Sequence, residues 1–150
     1  MASIYGRETY AIDHKGRVSI PASMRRETSG RKTHSELFLK FGSEGCLEAY
    51  QPSDWKTWEN RLLEIQSKKG RQGREFVRAF LMDACWVTVD TQGRITIPPA
   101  LLRRAGLGKE AVLLGNIGHI ELWSPERFQS TEEAAGRNLP SLEDEMLRGF

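Results

Sequence analysis

An internal duplication constrains the fold of this chain more than any other feature of its sequence. The segment Ile12–Ala22 matches Val89–Pro99, and both contain Asp-x-x-Gly-Arg followed by an apolar residue, Ser or Thr, and Ile-Pro. The segment Gly45–Pro52 matches Gly118–Pro125 in the same order. Two ordered matches indicate a tandem repeat. Their offsets, 77 and 73 residues, place four extra residues of the first copy in the polar stretch 27–36.

Each copy is predicted to begin with two short strands. Val18-Ser19-Ile20 and Ile95-Thr96-Ile97 alternate apolar and polar residues, which is typical of a half-buried strand. The segments before the two turns, Thr9–Ile12 and Trp86–Val89, are predicted to be their partner strands.

The Asp-x-x-Gly segments are predicted to be hairpin turns. Asp13 and Asp90 can accept hydrogen bonds from the backbone one or two residues later and so order the turn. Gly16 and Gly93 tolerate the positive φ that such turns need.

Prolines mark where the helices of each copy begin. Pro21 and Pro98 have no N–H for a strand ladder, so each strand should give way to a short helix, over Ala22–Thr28 and Pro99–Ala105. Pro52 and Pro125 should open further helices. Between these points we predict additional strands, at 37–39 and 46–50 in the first copy and at 111–114 and 119–123 in the second.

These elements divide the chain into four segments. Residues 4–52 and 84–128 are the two repeats, residues 53–83 form a helical connection with the basic linker 67–74, and residues 129–150 form an acidic tail expected to be partly disordered. Each half is about as small as the smallest independent domains. We therefore expect a mainly β, α+β fold in which the halves pack about a pseudo-two-fold axis as one barrel-like core.

Composition excludes several classes of protein. The 150 residues are 39% hydrophobic with a mean hydropathy of −0.51, and no apolar run is long enough for a membrane span. The polar N-terminus lacks a secretory signal, so we expect a cytoplasmic protein. The two cysteines, Cys46 and Cys85, and the three histidines show no metal-ligand spacing, and the cysteines are predicted to be core residues. Phosphate-loop, serine-hydrolase and metalloprotease motifs are absent, so we expect no enzyme, cofactor, metal or small-molecule ligand.

Basic residues cluster around the two turns. Arg17 and Arg94 directly follow the turn glycines and are expected to lie close together, flanked by further bases: Lys15, Arg25, Arg26, Arg103 and Arg104. The net charge is only +2, but residues 121–150 carry seven acids and three bases, so residues 1–120 carry 19 bases and 13 acids. A basic body permits a polyanionic partner without requiring one.

The paired signatures, together with the run Trp123-Ser-Pro-Glu-Arg127, resemble the MraZ family of bacterial regulators, which are built from two AbrB-like swapped-hairpin DNA-binding domains. The resemblance covers about Ile4 to Arg127. It implies a repressor that forms rings, associates with the nucleoid and binds repeated sites in double-stranded DNA upstream of the cell-division and cell-wall gene cluster.

The family's Asp-x-x-x-Arg motif maps onto Asp13 with Arg17 and onto Asp90 with Arg94. The resemblance therefore implies that the arginines contact DNA, with Lys15 and Arg25 beside them. Leu102 stands where the family usually has Arg, whereas Arg25 keeps the pattern in the first copy. Two alternatives stay open: the fold could serve an antitoxin-like or scaffold protein-interaction module, and the four tryptophans could be core or interface anchors or stack on bases.

Overall fold

The computed structural model describes residues 3–25 and 36–150, and in this part the two copies contain matching strands in the same order. The first copy and its connection comprise β1 (Arg7–Ala11), β2 (Arg17–Ser19), a 3₁₀ helix (Ala22–Met24), β3 (Glu36–Phe41), β4 (Leu47–Tyr50), α1 (Pro52–Lys68) and α2 (Gly70–Leu81). The second copy comprises β5 (Cys85–Thr88), β6 (Arg94–Thr96), α3 (Pro99–Ala105), β7 (Glu110–Gly115), β8 (Ile120–Trp123) and α4 (Pro125–Met146).

The strands form a six-stranded antiparallel sheet and a separate two-stranded ribbon. The sheet has the order β1-β7-β8-β4-β3-β5, and the ribbon pairs β2 with β6. Strands β5 to β8 correspond to β1 to β4 in the repeat. If each strand is replaced by its counterpart in the other copy, the strand order of the sheet is the same read from the opposite edge. The topology therefore has the expected pseudo-two-fold symmetry.

The two strands that flank each turn do not pair with each other. The prediction that they form a hairpin ladder is wrong, because β1 pairs with β7 and β2 pairs with β6, both in the other copy. The turn itself reverses the chain direction, but Val18 finds its buried partner in Ile95 across the ribbon. The expected barrel-like core is also corrected: β1 and β5 are the edges of the six-stranded sheet, so the described strands form no closed barrel.

The main core combines apolar residues of both copies. Alternate strand residues such as Leu37 and Leu39 point into it and are fully buried, together with Ile95 and Leu113. The main core is therefore shared between the two copies.

The other face of the sheet is covered by helices. Trp55 of α1 stacks on Phe38 with ring centroids 3.8 Å apart, and Trp123 packs against Phe128 of α4. Cys46 is buried beside Trp123, in agreement with a core role, and Cys85 is half-buried. The tryptophans divide into two sets, because Trp55 and Trp123 are buried whereas Trp58 and Trp86 are exposed by 37% and 45%.

Prolines begin the helices as predicted. Pro52, Pro99 and Pro125 each occupy the first turn of a helix, and α3 is capped at its C-terminus by Gly106, whose φ is +66°. The 3₁₀ helix covers the start of the helix expected over Ala22–Thr28. The rest of that helix, Arg26 and residues 27–35 of the polar stretch lie outside the described residues. The basic stretch 67–74 spans the end of α1 and the start of α2.

The structure has a helix where the sequence predicted a partly disordered tail. Most of it lies in α4, which begins with Ser124 as an N-cap that accepts a hydrogen bond from the Arg127 N–H at 3.2 Å. Residues 131–146 include many good helix formers, and Leu139, Leu142 and Met146 recur at spacings of three and four. Gly136 and Pro140 obscured this pattern in the sequence, and the helix continues through both.

Candidate nucleic-acid interface

The first turn is built by one carboxylate. Asp13 Oδ1 accepts hydrogen bonds from the backbone N–H groups of Lys15 and Arg17, both at 2.9 Å, and Asp13 Oδ2 accepts one from Arg17 Nε at 2.7 Å. The Gly16 N–H closes the turn onto the Asp13 carbonyl oxygen at 3.0 Å, with φ of +78° at Gly16. One carboxylate therefore orders the backbone and orients the arginine that follows it.

The second turn repeats this geometry. Asp90 Oδ1 accepts from the N–H groups of Gln92 and Arg94, at 2.8 and 2.9 Å, and Asp90 Oδ2 accepts from Arg94 Nε at 3.1 Å. The Gly93 N–H donates to the Asp90 carbonyl oxygen at 2.9 Å, with φ of +80°. Asp90 and Gly93 thus make the same contacts in the second turn as Asp13 and Gly16 make in the first.

These hydrogen bonds keep the two carboxylates ionised. The backbone N–H of Arg17 is the largest influence that lowers the pKa of Asp13, to about 2. The pKa of Asp90 is lowered in the same way, chiefly by the Arg94 N–H. Both carboxylates are therefore fully charged at neutral pH and hold the arginines as ion pairs.

The ribbon places both arginines on one polar face. Arg17 lies opposite Thr96 and Arg94 lies opposite Ser19, while Val18 and Ile95 face the core. Each guanidinium uses its Nε for the aspartate, and within residues 3–25 and 36–150 its Nη groups have no hydrogen-bond partner. The side chains of Arg17 and Arg94 are 29% and 28% exposed. Each arginine thus offers up to four N–H donors to an external partner.

The other predicted bases have different surroundings. Lys15 is exposed beside Arg17. Arg25 is half-buried and lies against Gly93 of the second turn, where a Cβ atom would be 2.9 Å from its Nη2. Arg104, expected to flank the turns, donates instead to the Met82 carbonyl oxygen at 3.2 Å, and its guanidinium lies over the Phe41 ring. Arg103 is exposed on α3.

Sequence comparison identifies relatives along almost the whole chain. A family model described as "MraZ protein, putative antitoxin-like" matches residues 4–76 and 80–148. Proteins named Transcriptional regulator MraZ are similar to this chain: one from Pediococcus pentosaceus is 33% identical over 95% of both chains. Another, from Thermomicrobium roseum, is 35% identical over 91% of this chain and 92% of the relative.

The chain belongs to the MraZ family. The names of its MraZ relatives are those of a regulator and not of an enzyme, in agreement with the expectation that the chain is not a catalyst. None of the helices within the described ranges of this MraZ chain has the length and hydropathy of a membrane span.

The run Trp123–Arg127, which is part of the resemblance to the MraZ family, has a structural role. Ser124 caps α4, and Arg127 donates through Nη1 to the Gly45 carbonyl oxygen at 2.8 Å and to the Arg104 carbonyl oxygen at 2.9 Å. These two acceptors belong to different copies. Arg127 therefore ties the repeats together at a point that sequence reasoning treated only as a family marker.

Sequence reasoning did not name Ser19 and Thr96 as members of the polar face. The two-residue alternation contained the signal, because it places them on the same face as the arginines. Sequence reasoning also missed a cluster of three side chains, Glu48, His119 and Glu121, whose potential metal-binding atoms lie within 4.8 Å of one another. Both carboxylates already accept hydrogen bonds, from Tyr50 and from Trp123, so the cluster is satisfied by protein groups.

Proposed function

We propose that this protein is a DNA-binding transcriptional regulator whose two turns contact the double helix through Arg17 and Arg94. The observation that carries the proposal is the paired geometry, in which two arginines share one polar face and each keeps its Nη groups for a partner. A guanidinium oriented through Nε can bind phosphate oxygens or fork onto guanine O6 and N7. The name of the relatives, Transcriptional regulator MraZ, supports this function.

A gel-shift assay with the chain's own upstream region tests the proposal. Arg17→Ala and Arg94→Ala should each weaken binding at least about tenfold, since a bidentate arginine contributes about 1–3 kcal/mol. Arg148→Ala is a matched control, because Arg148 is exposed on the tail and its one ion pair within residues 3–25 and 36–150 is with Asp144. If both turn variants bind as tightly as the parent while retaining its circular dichroism spectrum, the assignment is wrong.

We further propose that the regulator represses the cell-division and cell-wall gene cluster from repeated upstream sites, as the family resemblance implies. Such a role would place it in the cytoplasm, on the nucleoid. With a net charge of +2, one chain can neutralise few phosphates, so tight binding should need several subunits on several repeats. Binding should weaken steeply when the operator is shortened to one repeat and when salt is raised. Equal affinity for one repeat and for several would contradict this mode.

Self-association into a ring has support from two complementary surfaces. The exposed apolar side chains of α4, Leu139, Leu142 and Met146, lie along an acidic helix. A groove of about 480 Å³, lined by residues that include Trp55 and Trp86, lies beside the basic helix α2. We infer that α4 of one copy occupies this groove of the next, a head-to-tail contact that can close into a ring. Leu142→Asp should lower the mass measured by sedimentation, and an unchanged mass would refute this contact.

A protein-interaction role is the second candidate, since the family description contains the words "putative antitoxin-like". The same gel-shift discriminates the two functions. Specific, salt-sensitive binding to the upstream duplex supports the regulator, whereas no binding by the oligomeric parent chain favours the interaction module.

A further inference from the structure

Two glutamates face each other at the centre of the six-stranded sheet. Glu48 of β4 lies directly opposite Glu121 of β8 in the antiparallel register, and these strands are the two central ones. The two residues are equivalent in the repeat, so the pseudo-two-fold axis passes between them. Their side chains are only 21% and 14% exposed. Because like charges directly opposite each other repel, a cation between the two carboxylates is favoured.

A histidine completes a set of three potential metal ligands. His119 stands two residues before Glu121, at the position where the first copy has Cys46. The potential ligand atoms of Glu48, His119 and Glu121 all lie within 4.8 Å of one another. The distance from His119 Nε2 to Glu121 Oε2 is 3.3 Å, which is long for a hydrogen bond between nitrogen and oxygen. It matches the separation of about 3.3 Å between two ligands that each lie about 2.0 Å from a tetrahedral Zn²⁺.

Hydrogen bonds from outside the cluster orient the two carboxylates without filling them. The Tyr50 hydroxyl donates to Glu48 Oε1 at 2.9 Å, and Trp123 Nε1 donates to Glu121 Oε1 at 3.0 Å. Asn116 Nδ2 also donates to Glu121 Oε2 at 3.1 Å. A carboxylate has about four lone-pair sites, so both side chains keep acceptor capacity for a metal ion. Donors of this kind are the outer partners that orient metal ligands in proteins.

The charge of the two carboxylates is not balanced by their neighbours. Lys40 Nζ is 3.5 Å from Glu48 Oε1, but its shorter hydrogen bond, at 2.8 Å, is to the Phe41 carbonyl oxygen. The Lys40 ammonium also lies over the Phe80 ring. Within residues 3–25 and 36–150, no other lysine or arginine forms an ion pair with either glutamate. One ammonium therefore faces two carboxylates, and a negative charge remains for an ion to neutralise.

A cavity gives an ion access to the cluster. The cavity has a volume of about 490 Å³ and is lined by residues that include Glu48 and His119. Since the cluster lies at the wall of this cavity, an ion can enter without any rearrangement of the sheet. A water molecule from the cavity can fill a further coordination position beside the three protein ligands.

We propose that Glu48, His119 and Glu121 form a binding site for a divalent transition-metal ion, of which Zn²⁺ best matches the ligands and their spacing. One imidazole nitrogen and two carboxylate oxygens are ligands that Zn²⁺ accepts in a tetrahedral site with one position left for water. Because the ligands come from the central strands of both copies, bound Zn²⁺ joins the repeats and stabilises the folded chain. The search for cysteine and histidine spacings missed this set because two of its members are glutamates. The inference is independent of the proposed function.

Calorimetric titration of the full chain with ZnCl₂ at neutral pH, after purification without a polyhistidine tag, tests the site. One Zn²⁺ should bind per chain and raise Tm at fixed protein concentration. Glu121→Gln and His119→Gln should each weaken binding at least about tenfold and reduce the rise in Tm, since even the outer partners of metal ligands contribute about 10–100-fold. His14→Gln and Glu133→Gln are matched controls, because both residues are exposed and lie outside the cluster. Both controls should bind Zn²⁺ like the parent.

Tyr50→Phe gives a second readout. It removes the hydroxyl that orients Glu48 but no ligand, so it should weaken Zn²⁺ binding by about tenfold while one ion per chain still binds. Melting curves in EDTA check that each variant folds without metal, and Glu48→Gln replaces any ligand variant that does not. The inference is overturned if the parent shows no saturable binding of Zn²⁺, or if the folded ligand variants bind it as tightly as the parent. The gel-shift assay is read separately, so failure of the DNA-binding proposal leaves the metal site standing, and the reverse.

Discussion

Replacing Gly16 by alanine should weaken both the fold and DNA binding, because the first turn needs a left-handed backbone at this residue. Its φ is +78°, and a Cβ atom would lie 3.0 Å from the Ile97 carbonyl oxygen, a backbone atom of the strand end that holds the turn. Positive φ costs a residue with a side chain about 1–3 kcal/mol. The lower entropy of the unfolded alanine chain offsets about 0.4–1 kcal/mol of this cost.

The midpoints of these two ranges give a net loss for Gly16→Ala of about 1.3 kcal/mol, which lowers Tm by about 3–5 °C in a chain of this size. Calorimetry at fixed protein concentration measures this shift, and the gel-shift assay should show weaker binding because Arg17 moves with the turn. Gly108→Ala is the matched control: its φ is not positive, and apart from its chain neighbours no atom of the described residues lies within 4 Å of its Cβ position. If Gly16→Ala melts at the temperature of the Gly108 variant and binds as tightly, the turn is not held as described.

Three further experiments test the fold. Ile95→Ala should lower the free energy of unfolding by about 2–5 kcal/mol in urea, since Ile95 is fully buried opposite Val18. A decrease well below this range would argue against the ribbon's place in the core. A carbon-13 NMR titration should show the Asp13 carboxyl titrating near pH 2. Its contribution to stability is fully present above about pH 4 and is lost as the pH falls through 2. A titration midpoint at the usual pKa of an aspartate would contradict the turn geometry. A fragment of residues 1–70 should form a dimer or unfold, because β1 and β3 lose their neighbours β7 and β5; a melting temperature independent of dilution would refute this.

Local structure was predictable where one residue type has one physical consequence. The first turn of a helix has positions that need no N–H, and proline fits there, so Pro52 and Pro125 marked two helix starts and Pro98 marked the start of α3 just after it. Asp and Gly in the repeated turns were equally informative, since their hydrogen bonds are made within five consecutive residues. These inferences needed no knowledge of the rest of the chain.

The tail shows the limit of reasoning from composition. Its helix starts at the Ser124 cap and continues with apolar residues at helical spacing, but Gly136 and Pro140 lower the average propensity of the segment. The cap and the spacing were both readable, and greater weight on them would have predicted that α4 continues through the tail to Met146. Helix formation is cooperative, so a well-capped start can extend through a weak site.

Strand exchange was beyond the reach of local patterns, and it decides which side chains form each half of the proposed site. A tight turn reverses the chain but does not choose a partner for the strand that follows it. That choice depends on whether Val18 is better buried by its own preceding strand or by Ile95, a residue 77 positions away. Once β2 pairs with β6, Arg25 follows it to the turn of the other repeat and Leu102 takes the reciprocal place. Sequence adjacency assigns Arg25 to Arg17, whereas the hydrogen bond between Ile20 and Gly93 assigns it to Arg94. Leu102 therefore lies at the first turn and not at the second, and the first turn has an exposed cation of its own, Lys15.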